Sequence, residues 1–151
     1  GGPPILVGGR SDRAQRRAGV LGNGWLPYLV SPRSFAAGVE RVQAHALAVD
    51  RDPTELRHGI VAFARVEDDG VRAREAARKH LSRRYGMRFE PHHVEHLCIA
   101  GTPEECAVRV QAYADAGASH LALNPAVDGD GFFLQVEQLR KIVTSAREVR
   151  T

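Results

Sequence analysis

Gly8, Gly9, Arg10 and Ser11 stand between the apolar run at residues 5–7 and an alanine- and arginine-rich helical pattern. Glycines let backbone N–H groups approach a phosphate. The N-terminus of a following helix adds free donors and the positive end of its dipole. Ser11 can bond an oxygen, and Arg10 can neutralise charge. The same four residues also read as a tight turn with a serine cap. Trp25, Pro27 and Tyr28 follow on the next apolar run, where aromatic rings either stack on a bound ring or pack as core. Glu67, Asp68 and Asp69 close a third run. Clustered carboxylates suit acid–base work or metal binding, and equally suit capping the helix that follows. His92, Glu95 and His96 fit H-x-x-E-H, the pattern of inverted zinc peptidases. On a helix the two histidines would share a face as zinc ligands. Pro91 and the lack of a third ligand favour chance spacing in a surface segment, so no metal is expected. Residues 124–131 (NPAVDGDG) form a loop whose Asp128 and Asp130 would repel a phosphate, so it reads as a substrate-side loop.

These groups need a scaffold that brings strand ends together. Residues 5–7, 25–30, 59–66 and 120–123 read as buried strands, the third without alternation, as expected of a strand covered on both faces. Pro27 marks the second as short or irregular. Helices are expected from Ser11 to Leu21, with Ala14, Ala18 and Leu21 inside. Another follows Ser31-Pro32, burying Phe35, Val39, Val42, Ala46 and Val49. A third covers residues 71–85. Thr102-Pro103-Glu104-Glu105 is a capping box opening a fourth. A last helix over residues 132–149 is expected to bury Phe133, Val136, Leu139, Ile142 and Val143. Residues 87–100 are the least defined. Strand–helix alternation, with an extra helix before the fourth strand, means parallel α/β architecture. Four such units are half of a (β/α)8 barrel, and an open four-stranded sheet fits the same pattern.

Bulk properties are those of one globular domain spanning residues 1–151, with 43% apolar and 26% charged residues. No apolar run reaches the roughly 20 residues of a membrane helix. The net charge of +3 is mild and arginine-dominated. It welcomes phosphate-bearing ligands, but no nucleic-acid arm is evident. Cys98 and Cys106 form no CxxC and read as buried reduced thiols, which suits a cytoplasmic protein. The start at Gly1, without Met and with strand-like sequence by Ile5, reads as a cut chain or fragment.

Taken together, PPILVGGRSDRAQRRAGVLGNGWLP, the later RDP, the buried run ending in EDD, and AGTPEECAVRVQAYADAGASHLALNP carry a wider pattern. It resembles the luciferase-like monooxygenase family over residues 3–143, and within it the flavin- or deazaflavin-dependent (coenzyme F420) oxidoreductase branch. The resemblance implies a TIM barrel of which this chain is the C-terminal half, strands five to eight. Self-association or an N-terminal half would complete it. It implies FMN or F420 as cofactor, with the phosphate on Gly8, Gly9 and Ser11, Arg10 and Tyr28 beside it, and a small-molecule substrate. No residue stands out as acid, base or nucleophile. A half-barrel leaves open strand edges, so a homo-oligomer, most simply a dimer, is expected. A non-catalytic, self-associating fragment is the alternative.

Overall fold

The computed structural model describes residues 2–148. Its contacts fall into two compact units, Gly1–Val61 with Tyr113–Ala122, and Ala62–Ala112 with Leu123–Thr151.

In the first unit, β1 (Leu6–Val7) pairs in parallel with β2 (Gly24–Trp25), Val7 opposite Trp25. Pro27 cannot donate to a ladder and β2 is short, as its position in the sequence predicts. The chain then bridges at Tyr28 to Val61 of β3 (Gly59–Val66). Between β1 and β2 runs α1 (Asp12–Leu21). Ser11 caps it, its hydroxyl accepting from Ala14 N–H at 3.3 Å. Ala14 and Ala18 are buried, but Leu21 is exposed. The helix stops at Gly22, whose N–H folds back onto the carbonyls of Arg17 and Ala18, and the last side chain overshoots the core.

Ser31 caps α2 (Pro32–Leu47), with Pro32 in the first turn, where its missing N–H costs nothing. Phe35, Val39, Val42 and Ala46 form the buried stripe. Val49 lies past the helix end and is exposed. Phe35 stacks on Trp25 at 5.6 Å and meets Tyr113 edge-on at 6.3 Å. Each such aromatic pair adds about 0.5–1.5 kcal/mol beyond its area burial.

In the second unit, Ala64, Arg65 and Val66 of β3 pair in parallel with β4 (Ile99–Gly101). This strand lies where the sequence is least readable, so the described residues hold five strands rather than four. The three-stranded sheet has the order β4-β3-β5, with β5 spanning His120–Pro125. Asp69 caps α3 (Gly70–Tyr85), and α4 (Pro91–Leu97) follows. The capping box at α5 (Pro103–Asp115) forms as expected. Thr102 N–H reaches the Glu105 carboxylate at 2.8 Å, and Glu105 N–H reaches the Thr102 hydroxyl at 3.3 Å.

In α6 (Phe132–Glu148), Leu139 and Ile142 are buried, whereas Phe133 and Val136 are exposed. The buried Gln135 amide decides the helix rotation. It accepts from Val66 N–H and donates to Val66 C=O, both at 2.8 Å. The inward face is therefore Gln135, Leu139, Ile142. Val149, the expected helix end, lies outside the described residues.

Candidate functional site

The glycine loop lies in the first unit, between the C-terminal end of β1 and the N-terminus of α1. Gly9 has φ +100, a conformation that side-chain-bearing residues avoid, and a Cβ there would sit 2.8 Å from Ala14 Cβ. The Gly9 carbonyl accepts from the Trp25 indole N–H at 2.8 Å. The N–H groups of Gly9, Arg10, Ser11, Asp12 and Arg13 have no hydrogen-bond partner among the described residues. Three of these five belong to the cap and first turn of α1, which cannot satisfy them internally.

Arg10 is anchored rather than free. Its Nη1 donates to Leu29 C=O at 3.2 Å, and its guanidinium lies 5.3 Å from the centre of the Tyr28 ring. Leu29, a residue with no sequence signal, takes a left-handed φ of +50, and that turn presents its carbonyl to Arg10. Ser11 uses an oxygen lone pair for the cap, so its hydroxyl proton remains available to an outside acceptor. Asp12 is the one carboxylate in the loop, and its Oδ1 lies 3.4 Å from His45 Nε2 of α2. Gly8, Gly9, Arg10, Ser11 and Tyr28 are thus brought together at adjacent strand ends. Trp25 is core, 1% exposed, with its indole nitrogen turned onto the loop.

The remaining candidates lie in the second unit. Glu67 is held by Arg65, at 2.9 Å from Nε and 2.6 Å from Nη2, and Asp69 accepts from Val71 and Arg72 N–H to cap α3. Two of the three carboxylates are therefore committed to structure. The H-x-x-E-H segment is helical after all, as α4, because His93 Nδ1 accepts from Glu90 N–H at 3.0 Å and closes a capping box around Pro91. His96 Nδ1 turns to the His92 carbonyl at 2.8 Å. Among the described residues no three His, Cys, Asp or Glu side chains converge as metal ligands. Asp128 contacts Arg83 and lies 3.0 Å from His80 Nδ1 of α3; the Arg83 guanidinium holds its carboxyl below the usual range. Of Asp130 only the backbone is described.

What the first-unit loop offers is a row of unpaired N–H donors, a hydroxyl and a guanidinium beside an exposed aromatic ring. That donor set suits an anionic group attached to a planar one.

Comparison with known proteins identifies the fold. Over 91% of its length the chain superposes on 48% of an F420-dependent secondary alcohol dehydrogenase in complex with an F420–acetone adduct, with TM-score 0.75 and 15% identity. A coenzyme F420-dependent tetrahydromethanopterin reductase from Methanopyrus kandleri matches 90% of the chain over 48% of its own, with TM-score 0.68 and 16% identity. A riboflavin lyase with modified FMN and substrate riboflavin matches 95% of the chain over 43% of its own, with TM-score 0.69 and 16% identity. The chain spans about half the length of these structures or less, so its α/β fold, with parallel strands in two sheets, is that of a partial barrel. No helix among the described residues is long and apolar enough to cross a membrane. The sequence profile described as luciferase-like monooxygenase matches residues 1–120. The chain belongs to the luciferase-like monooxygenase family.

Proposed function

We propose that this chain carries the phosphate-holding loop of an FMN or F420 site in an oxidoreductase or monooxygenase acting on a small molecule. The observation behind this reading is the run of unpaired N–H groups from Gly9 to Arg13, set at a helix N-terminus beside Arg10. The N–H groups would bind phosphate oxygens, the Ser11 hydroxyl would donate to one more, and Arg10 would balance the charge while staying tied to Leu29. Gly8 lets the backbone come close. The Tyr28 ring, with the Arg10 guanidinium against it, would flank the cofactor on the side of β2. When bound, the cofactor supplies the redox chemistry; this chain supplies position and charge. Titration of the full chain with FMN and with F420, followed by fluorescence, tests the reading. Saturable binding of one of them supports it, and no binding of either counts against it.

The same reading includes self-association. Phe132, Phe133, Leu134 and Val136 on the first turns of α6 are all exposed apolar side chains. Adjacent apolar residues at a surface suit a protein partner, here a second copy. Sedimentation at micromolar concentration is expected to give a dimer or larger species; a strictly monomeric, well-folded chain would remove this part. The buried thiols Cys98 and Cys106 suit the reducing cytoplasm.

A further inference from the structure

The glycine loop depends on a residue that cannot touch a ligand itself. Trp25 is 1% exposed and clamped, with Phe35 stacked on one ring face and Gly38 against the ring edge. Its indole N–H donates to the Gly9 carbonyl at 2.8 Å. The Gly9–Arg10 peptide is trans, so its N–H points opposite to its carbonyl. With the carbonyl drawn toward the buried indole, the Arg10 N–H faces the exposed side of the loop, where Arg10 and Ser11 lie. Turning this carbonyl outward rotates ψ of Gly9, which glycine allows, and φ of Arg10, which would leave its negative range, so the indole bond and the Arg10 Cβ both oppose the flipped setting. Carbonyl-outward, the loop would present an oxygen lone pair to an anion where it now presents a donor.

We infer that Trp25 is a positioning residue of the anion loop, its indole N–H holding the Gly9 carbonyl inward and so fixing the peptide setting in which the Arg10 N–H faces the ligand. This rests on the phosphate-loop reading above. The coupling runs both ways. An anion accepted by the Arg10 N–H polarises the same peptide, which strengthens the Gly9 carbonyl as acceptor and the indole bond with it. Trp25 is the only tryptophan of the chain, so one indole N–H resonance reports on this bond.

The experiment uses the full 151-residue chain. FMN is compared with riboflavin, and F420 with its phosphate-free core, so that the affinity ratio isolates the phosphate. Two variants remove the N–H: Trp25→Phe, and replacement of Trp25 by benzothienylalanine, which keeps the bicyclic shape if the smaller ring fails to pack. In the unmodified chain, the phosphorylated cofactor is expected to move the Arg10 amide and the indole N–H resonances together. In the variants the phosphate preference is expected to fall about tenfold, the worth of roughly one hydrogen bond, with riboflavin affinity unchanged. An unmodified chain that prefers the phosphorylated form, with variants that keep the preference in full, overturns the role of Trp25 and leaves the loop reading standing. An unmodified chain without any phosphate preference overturns both.

Discussion

Gly38 of α2 lies against the edge of the Trp25 indole, so closely that a Cβ at this position would sit 2.2 Å from Cη2 and 2.3 Å from Cζ3. The ring cannot retreat, because Phe35 stacks on it and Gly9 holds its nitrogen. Gly38→Ala gains at most about 1 kcal/mol of helix propensity, while overpacking costs about 1–3 kcal/mol. The expected outcome is a net loss of about 1 kcal/mol or more in urea unfolding, together with a shift of Trp25 fluorescence.

Gly9 and Gly8 predict opposite responses to the same substitution. At Gly9, alanine meets both the left-handed backbone and Ala14 Cβ, and a loss of roughly 1–3 kcal/mol is expected. At Gly8, a Cβ meets only the Leu26 carbonyl at 3.7 Å, ordinary contact distance. Gly8→Ala is therefore expected to melt close to the unmodified chain. If it also binds FMN or F420 normally, the close approach of the backbone does not depend on the missing side chain at Gly8.

Ser11 separates a helix cap from an anion site. Ser11→Ala loses the bond to Ala14 N–H, at a cost of about 1 kcal/mol. Ser11→Asp retains a good cap, but puts a negative charge where the phosphate would sit. Thermal stability near that of the unmodified chain with cofactor binding abolished is the expected result for aspartate. Unchanged binding by Ser11→Asp would reduce the loop to a capped turn.

His58 is buried immediately before β3, and neither ring nitrogen has a hydrogen-bond partner among the described residues. Burial holds its pKa below the ordinary histidine value. At neutral pH the ring is uncharged in both folded and unfolded chains, so it adds no pH dependence. As pH falls below about 6.5, the unfolded chain takes up a proton that the folded chain refuses, and stability drops. Urea midpoints measured from pH ~7.5 to ~5.5 are expected to fall more steeply for the unmodified chain than for His58→Leu. Equal slopes would mean that His58 is protonated in the fold.

Cys98 and Cys106 are expected to be inert. Burial pushes both thiols up to about 12, so almost no thiolate exists at pH 8. Iodoacetamide at that pH is expected to leave the native chain unmodified and to alkylate both residues in denaturant. Rapid native alkylation of either would show that its surroundings open readily.

Local chemistry made much of this protein legible in its sequence. Ser11, Ser31, Asp69 and the Thr102–Glu105 pair announce helix starts, because capping is settled by residues within one turn. Strand–helix alternation announces parallel α/β structure, and the cluster of Gly8, Gly9, Arg10, Ser11 and Tyr28 follows from adjacent strand ends. What the local pattern could not carry depends on partners far along the chain. β4 forms because Ala64–Val66 offers it a ladder, and α6 turns Phe133 outward because Gln135 finds Val66, 69 residues away. Trp25 shows the division within one side chain. Its size and apolarity mark it for burial from sequence alone, but the direction of its single N–H, and so the setting of the Gly9–Arg10 peptide, is decided by α2 packing against it. A hydrogen bond has a direction that hydrophobic pattern does not encode, and only the tertiary structure supplies it.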